Sequence, residues 1–542
     1  MSIKLYLHTV KYLKLSQLLW RLYYRFSITA KIDQTHAPAL RQQSNNWVKP
    51  IEKDIKMLGP RQFKFLNYIK EIKLPMDWNN SECSKLWLYN LHYFDDLVCK
   101  NAHMRKQWHQ QLLKDWIQEN PIGLGSGWEP YPVSLRIVNW IKWGLSGNTL
   151  EQPILDSLAT QVRYLTKRLE YHLLGNHIIA NAKALIYAGL FFIGDEANAW
   201  FTKGMQILVT QLPEQILPDG GNFELSPMYH AIILEDLLDI VNINNCYGKF
   251  ISQYVTNTIK SMCSWLIAMT HPNKEISFFN DAANGIAATV EDLQNYCQLL
   301  GLNSKASTKV TYLNNSGYVR IEDSALVAII DIAPIGPDYM PGHAHADTFS
   351  FECSLFAEKV IVNSGVSLYS NSEERILQRG TRAHSTLAID GQDSSEVWGG
   401  FRVARRARII NPRVEQKENK IIVAAKHDGY CRLYGKPIHS REWHFSKNCI
   451  EVLDFVTGRG KHDIEIICHL APAIIVEQYD ENLVYLFVKG HKVTMRFVGE
   501  GVLTVIPSNY YPRFGECVLN NTLVWSQVNN KLPYNNKMIL TW

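Results

Sequence analysis

The spacing of apolar residues changes once along this chain, near residue 303, and that change limits the possible folds more than any other feature. Before it, apolar side chains recur every three or four positions, as in residues 155–169, which is typical of helices packed on one face. After it, apolar residues alternate or run continuously, as in ALVAIID (325–331) and IEVLDFV (450–456), which is typical of strands. The pattern therefore predicts a helical half followed by a sheet half.

The connections between these segments indicate how each half is built. Helical stretches separated by Pro- and Gly-rich loops favour stacked helical hairpins that close into a bundle, solenoid or toroid. Strands separated at short intervals by turn residues favour an antiparallel sandwich. We therefore predict an α+β multidomain protein of 542 residues. It has an N-terminal helical extension over 1–85, a helical domain over 86–303 and a β-sandwich domain over 304–542.

Charge and cysteine usage exclude some classes of function. The net charge is only +5, far from the basic coat of a nucleic-acid-binding protein, so we predict no nucleic-acid partner. The ten cysteines include no CxxC pair, which argues against zinc fingers and a disulfide framework and favours a reducing compartment.

The N-terminus is basic and amphipathic but lacks the apolar core and small-residue cleavage site of a signal peptide. We therefore predict a cytoplasmic protein, with the periplasm or cell envelope as the alternative. The segment is interpreted as a docked helix, with a membrane-surface helix as the second interpretation. The longest apolar run, 184–193, is about half of a membrane span, so we predict no transmembrane segment.

Two segments of the helical half carry unusual polar side chains. Asn176 and His177 precede an apolar helix; Asn176 could cap that helix, but a cap does not explain His177. Glu224 and Tyr229 lie in a loop that leads into another helix, where Ser226 and Pro227 are predicted as N-cap and first helical residue.

The sheet half contributes two further segments. His343 and His345 are two positions apart and face the same side of an extended chain. Such a pair suits two metal ligands, or one ligand and one proton carrier. Arg382 and His384 follow in the last segment. Because two segments lie in each half, a shared site would occupy the cleft between the halves.

The residue types in these segments favour one chemistry. The chain has no GxSxG, Walker loop, HExxH or dinucleotide-binding GxGxxG, which argues against serine hydrolysis, nucleotide chemistry and hydride transfer. No carboxylate pair for glycoside hydrolysis is evident, although Glu224 with Asp219 stays open. Tyr, His and Asn suit β-elimination from a uronic acid, which needs a donor to the carboxylate, a base for the C5 proton and an acid for the leaving oxygen.

These segments resemble the heparinase II/III-like polysaccharide lyases. The matching motifs are GNH (175–177), MYH (228–230), FFNDAANGIA (278–287), GHAHAD (342–347) and RAHSTLAIDG (382–391). The match is closest to the bacterial branch associated with capsule and exopolysaccharide gene clusters. The resemblance implies an α/α toroid followed by an antiparallel β-sandwich, and cleavage of an acidic, uronic-acid-containing polysaccharide.

The resemblance also assigns roles to individual residues. Asn176 corresponds to the residue that neutralises the uronate carboxylate, with His177 beside it. Tyr229 corresponds to the catalytic acid or base, and His343 to the catalytic histidine. The residues predicted to contact substrate are Glu224, Arg382, Tyr369 and Trp128.

Several relatives bind a structural zinc, and His345 and His384 correspond to two of its ligands. The third ligand there is an aspartate, where this chain has Asn363 in VNSG. Because a neutral amide is a poorer zinc ligand than a carboxylate, zinc is in doubt here.

Two alternative functions stay open. The first is a non-catalytic protein that binds acidic polysaccharide or assists assembly in a surface polysaccharide pathway. The second is a glycoside hydrolase that uses Glu224 and a second carboxylate. The sequence does not indicate the polymer, endo or exo cleavage, or the oligomeric state.

Overall fold

The computed structural model describes residues 3–26, 32–73, 77–303, 308–418 and 420–542. Helices dominate up to residue 299 and strands dominate from residue 310 onward, so the predicted α+β order is confirmed. The helices are α1 (Ile3–Val10), α2 (Leu15–Phe26), α3 (Lys85–Tyr93), α4 (Lys106–Glu119), α5 (Pro130–Leu145), α6 (Gln152–Thr166), α7 (Gly175–Phe191), α8 (Asp195–Gln215), α9 (Pro227–Cys246), α10 (Gln253–Ala268), α11 (Val290–Leu299) and α12 (Glu373–Arg379).

Three short strands precede the helical domain, and the remaining strands follow it. They are β1 (Met57–Gly59), β2 (Gln62–Phe65), β3 (Tyr68–Glu71), β4 (Val310–Leu313), β5 (Tyr318–Asp323), β6 (Leu326–Asp331), β7 (Phe351–Leu355), β8 (Glu358–Val362), β9 (Leu387–Ile389), β10 (Val397–Trp398), β11 (Arg402–Val403), β12 (Ile409–Lys417), β13 (Lys420–His427), β14 (Ile438–Ser446), β15 (Cys449–Thr457), β16 (Lys461–Leu470), β17 (Ile475–Asp480), β18 (Leu483–Val488), β19 (His491–Val498), β20 (Val502–Tyr510), β21 (Val518–Lys531) and β22 (Tyr534–Thr541).

Helix α7 forms the centre of the helical domain. All of its residues except His177 are buried, as expected for a helix that is apolar on every side. It packs closely on α8, where two glycines permit the approach. A Cβ on Gly189 would lie 2.5 Å from the backbone N of Phe201, and a Cβ on Gly204 would lie 2.8 Å from the carbonyl O of Ala182.

A buried ion cluster joins three helices of this domain. Asp239 of α9 accepts hydrogen bonds from Lys142 of α5 and Lys183 of α7, each at 2.5 Å. Asp239 is fully buried, and the two ammonium groups hold its pKa at about 2 against the opposing effect of burial. Because α7 and α9 carry Asn176 and Tyr229, this cluster fixes the relative positions of two candidate site segments.

Two large antiparallel sheets and the two-stranded sheet β10-β11 lie in the described C-terminal half. In the described part of the chain, one sheet has the order β20-β21-β16-β8-β7-β6-β5-β4, with β9 paired to β16. The other has the order β12-β13-β14-β15-β22-β19-β18-β17. Strand β14 alternates between buried and less buried residues, so the second sheet has one face toward solvent.

The central strands of the first sheet are covered on both faces. Strands β6 and β7 are buried along their whole length, because one face packs in the sandwich and the other meets the helical domain. At that interface Tyr318 of β5 packs against Trp265 of α10 and Phe279, with ring centroids 5.9 and 5.2 Å apart. The two halves are therefore joined by a continuous apolar contact.

The structure corrects the prediction of a helical extension over residues 1–85. Residues 3–10 and 15–26 are helical, but 57–71 form the three-stranded sheet β1-β2-β3. The local reason is a short period-two pattern in QFKF, where Phe63 and Phe65 are buried and their neighbours are not. No helix in the described ranges has the length and apolar character that crossing a membrane requires.

We expect Asp239→Asn to reduce the free energy of unfolding by about 3–5 kcal/mol, because it leaves the buried Lys142 without its ion-pair partner and leaves Lys183 paired with Asp236 alone. Urea denaturation followed by circular dichroism measures the change. The matched control is Asp323→Asn, since that carboxylate is 54% exposed and forms a long ion pair of 3.9 Å with Lys309. This substitution should change the free energy of unfolding by less than about 1 kcal/mol. Equal effects of the two substitutions would contradict a structural role for the cluster.

Candidate active site

A fully buried carboxylate, Asp281, lies where the helical domain meets the sheet domain. Its Oδ2 lies 2.8 Å from Nδ1 of His343, and its Oδ1 lies 2.8 Å from Nε2 of His345. The guanidinium of Arg375 in α12 donates to both oxygens. Burial acts to raise the pKa of Asp281, but the guanidinium and the two imidazoles hold that pKa well below its usual range. Asp281 is therefore an anion at neutral pH and orients both histidines.

The loop that carries Asp281 is held by backbone contacts. The Asp281 N–H donates to the carbonyl of His343 at 2.9 Å, and the Ser226 hydroxyl donates to the carbonyl of Asp281 at 2.5 Å. Ser226 also caps α9 by accepting from the Tyr229 N–H, and Pro227 is the first residue of that helix, so the predicted N-cap is confirmed. One serine thus positions both the Asp281 loop and Tyr229.

Tyr229, His343 and Tyr369 form a compact group above Asp281. The rings of Tyr229 and His343 stack with centroids 3.8 Å apart, and the Tyr229 hydroxyl donates to the Tyr369 hydroxyl at 3.2 Å. Burial, with smaller effects from neighbouring groups, raises the pKa of Tyr229 well above 10.0. Its phenol therefore keeps its proton at neutral pH, while Nδ1 of His343 is engaged by Asp281 and leaves Nε2 for a substrate.

The carboxylate of Glu224 lies beside this group. Its Oε2 is 3.8 Å from Nε2 of His343, and within the described residues neither of its buried carboxylate oxygens has a hydrogen-bond partner. Burial raises the pKa of Glu224 above 4.5, with the His343 and His177 rings lowering it in part. A buried acid with unused oxygens is available to hydrogen-bond a sugar hydroxyl or carboxylate.

Asn176 and His177 approach the same space from α7. The helix begins at Gly175 after Leu174, so Asn176 is inside the first turn and its side chain is not the N-cap that the sequence suggested. Burial raises the pKa of Tyr131, and a hydrogen bond with the Asn176 side chain partly offsets that rise. Gly175 has a positive φ of 58°, and a Cβ there would lie 2.4 Å from the Cε of Met340. This left-handed backbone conformation favours glycine here.

His177 is the more exposed of these two side chains. Its Nδ1 lies 2.9 Å from the Glu170 carboxylate, and its side chain is 30% exposed. Burial lowers the pKa of His177, but Glu170 outweighs that effect and gives a net rise. A raised pKa favours the protonated, positively charged form of this imidazole, which would attract an anionic ligand group beside Asn176.

Two of the predicted substrate-binding residues are placed elsewhere. Trp128 is only 3% exposed, its Nε1 donates to the carbonyl of Asn120, and its ring packs on Tyr164; it is a core residue because its surface is already covered. Arg382 is exposed and pairs with Glu465 of β16, so its guanidinium is engaged away from the Tyr229–His343 group. Glu224 and Tyr369 are in that group.

The residues predicted as zinc ligands supply only part of a ligand set. Nδ1 of His345 lies 3.2 Å from Nε2 of His384. The third residue, Asn363, is already engaged: its amide oxygen accepts from the Ser385 N–H, and its amide nitrogen donates to Ser350. No set of three or more His, Cys, Asp or Glu in the described ranges is arranged to hold a metal ion. These residues do not fit the three-ligand zinc site, and zinc stays a prediction from the resemblance.

Sequence reasoning missed two residues of the site. Asp281 lies in a matching motif, FFNDAANGIA, but was assigned no role, and Arg375 was not singled out. The available signal was the polar pair Asn280–Asp281, which follows the apolar pair 278–279. Their partners are more than sixty positions away in the chain, since Asp281 and His343 are separated by 62 residues and Asp281 and Arg375 by 94.

Comparisons with known proteins match this chain along nearly all of its length. A family model described as "Heparinase II/III N-terminus" matches residues 14–306. A second model, "Heparinase II/III-like, C-terminal", matches residues 305–532.

Two curated relatives carry the name heparin-sulfate lyase. The protein from Pedobacter heparinus is 26% identical over 326 residues, which is 53% of this chain and 48% of the relative. The protein from Bacteroides stercoris is 25% identical over 346 residues, which is 53% of this chain and 50% of the relative. This chain therefore spans about half the length of the curated relatives it matches.

Solved structures share the fold at low sequence identity. A crystal structure of heparinase III has a TM-score of 0.75 and 18% identity, covering 97% of this chain and 88% of that chain. A heparan sulfate lyase from Pedobacter heparinus has a TM-score of 0.60 and 20% identity, covering 89% of this chain and 81% of that chain. The common fold is a helical toroid followed by a β-sandwich, as predicted.

We expect Glu224→Gln to stabilise the protein increasingly as the pH rises. The raised pKa of Glu224 means that the folded state holds a proton that the unfolded state releases, so its contribution falls as pH increases above about 4.5. At about pH 8 the variant should be more stable than the native chain, with little difference at about pH 4. Thermal melts across this pH range measure the effect. An equal gain in stability at both pH values would contradict a raised pKa of Glu224 in the folded protein.

We expect the purified protein to contain less than a stoichiometric amount of zinc, because Asn363 is engaged by Ser385 and Ser350. Asn363→Asp should increase the zinc content, since it supplies the missing carboxylate. Plasma mass spectrometry of protein purified without chelator measures the metal. The control is Asn363→Asp combined with His384→Ala, which should lose the gained zinc. Stoichiometric zinc in the native chain would contradict the expectation.

Proposed function

This chain belongs to the heparinase II/III family, and we propose that it is a polysaccharide lyase that cleaves a uronic-acid-containing acidic polysaccharide by β-elimination. The observation that carries the proposal is the stack of Tyr229 on His343, with the imidazole oriented by Asp281. This arrangement offers a proton acceptor and a proton donor side by side, as elimination requires.

The geometry favours His343 as the base. Its Nδ1 is held by Asp281, so Nε2 carries the free lone pair that takes the C5 proton. The electrons of the C5–H bond form the C4–C5 double bond, and the bond from C4 to the glycosidic oxygen breaks.

Tyr229 is the matching acid. Because burial raises its pKa well above 10.0, the phenol holds its proton until the leaving oxygen develops negative charge and takes it. The proton on His343 is then released to solvent and the phenolate of Tyr229 takes a proton from solvent, which restores both groups. The cycle leaves one unsaturated uronate and one free hydroxyl, with the enzyme unchanged.

The uronate carboxylate must be neutralised while C5 loses its proton, because the developing enolate carries charge there. Asn176 supplies an amide donor and His177, with its raised pKa, supplies positive charge. Glu224 lies nearby, and its carboxyl oxygens are available to hydrogen-bond hydroxyl groups of the same sugar. The names of the curated relatives, heparin-sulfate lyases, support a uronate polymer as substrate.

The alternative of a glycoside hydrolase has less support from the site. Asp219 accepts hydrogen bonds from the N–H groups of Gly221, Asn315 and Ser316, so it fixes a loop. Asp281 is already bound to Arg375. A non-catalytic binding protein would keep the same cleft, and the experiment below separates it from an enzyme.

We expect the protein to release products with the ultraviolet absorbance of an unsaturated uronate from at least one of heparin, heparan sulfate, chondroitin sulfate, hyaluronan and alginate. Tyr229→Phe and His343→Ala should each reduce the rate by about 10²–10⁴-fold, the usual contribution of an acid or base. A continuous spectrophotometric assay measures the rate.

The matched controls replace exposed residues of the same types, Tyr434→Phe and His36→Ala, which are 82% and 87% exposed. Full activity in both site variants would refute the mechanism. New reducing ends without absorbance would indicate hydrolysis, and binding without product would indicate a non-catalytic protein.

A further inference from the structure

The two N-terminal helices carry apolar stripes that are exposed among the described residues of the protein. On α2, Leu15, Leu19, Leu22 and Phe26 are spaced so that they share one face, and they are 54–75% exposed. On α1, Ile3, Leu7 and Val10 repeat the same spacing and are also exposed. Together these residues form what we call the N-terminal stripe.

The stripe is not the face by which these helices attach to the protein. On α2 the opposite face docks: Trp20 stacks on Tyr171 at 5.0 Å and the Tyr24 hydroxyl bonds to the carbonyl of Leu169. On α1, Tyr6 packs on Trp398 at 4.8 Å. The helices are therefore already fixed, and the stripe is apolar surface that remains after docking.

The charge around the stripe has one sign. Residues 1–32 contain six Lys or Arg and no Asp or Glu; the first carboxylate is Asp33. Arg21 and Arg25 are exposed and share the flank of the α2 stripe, while Lys4 and Lys11 are exposed beside that of α1. Among the described residues of this segment, Lys14 is the cation that forms an ion pair, and its partner is Glu214.

We propose that the N-terminal stripe docks the protein on an anionic lipid surface. Apolar side chains on one face with flanking cations and no carboxylates are the composition of helices that lie in the membrane interface. The stripe residues would enter the boundary between headgroups and acyl chains, and the arginines and lysines would contact anionic headgroups. A second copy of this chain is disfavoured as the occupant, because it would bring the same uncompensated positive charge.

A chain of contacts links the start of α2 to the candidate active site. Lys14 at the start of α2 pairs with Glu214, and Glu214 accepts from the Tyr339 hydroxyl at 2.5 Å. Tyr339 packs against Phe223, the neighbour of Glu224. The lipid-binding proposal stands on the helices alone and does not depend on the proposed lyase chemistry.

The test uses the full chain and extruded vesicles, either phosphatidylcholine alone or an equal mixture with phosphatidylglycerol. In a flotation assay we expect binding to the mixed vesicles, and weaker binding at high salt, since charged headgroup contacts are screened. Leu19→Glu combined with Leu22→Glu should abolish binding. Arg21→Glu combined with Arg25→Glu should weaken it about tenfold or more.

The matched control is Leu519→Glu combined with Val528→Glu on β21. These side chains are 76% and 75% exposed and belong to the C-terminal sheet domain, not to the N-terminal helices. It should bind vesicles as the native protein does. Failure of the native protein to float with mixed vesicles, or undiminished binding of the Leu19/Leu22 variant, would overturn the proposal. Self-association of the native protein without lipid, measured by analytical ultracentrifugation and abolished in this variant, would also overturn the proposal. The stripe would then be a contact between copies of the chain.

Discussion

The Asp281 carboxylate is the interaction on which the rest of this structure depends. It belongs to the helical domain, yet the three side chains that bind it, His343, His345 and Arg375, all belong to the sheet domain. A fully buried charge is costly unless it is paired and hydrogen-bonded. The domain interface must therefore form for Asp281 to be satisfied, and once it forms, His343 has one orientation relative to Tyr229. Assembly of the two halves and assembly of the site are the same event.

The helical half supplies its share of the site with comparable rigidity. Tyr229 follows an N-cap whose serine also contacts the Asp281 loop, and α9 is joined to α7 by the pairing of Asp239 with Lys183. Asn176 and Tyr229 are therefore presented by helices that cannot shift independently. Groups that exchange protons need such fixed geometry, because small displacements reduce the rate of proton transfer strongly.

The sequence predicted the architecture because periodicity is a local property: helical spacing before residue 303 and strand spacing after it. It also indicated Tyr229 and His343, because the motifs that contain them, MYH and GHAHAD respectively, are distinctive over a few residues. It missed Asp281 and Arg375 because their importance lies in contacts with residues far away in the chain. Trp128 was misplaced for a related reason: an aromatic residue beside polar loops has the same local sequence whether it lines a cleft or packs on Tyr164.

The double coverage of the first sheet has a consequence for how such chains can evolve. Strands β6 and β7 are buried on both sides, so a sandwich separated from its helices would expose a broad apolar surface and the unpaired Arg375. Neither half is a self-sufficient module in the way that domains linked by polar contacts are. Recombination that exchanged one half for that of a distant relative would have to preserve both the apolar fit and the single buried charge. New specificities in this lineage therefore arise more readily by substitution within the cleft than by shuffling of domains.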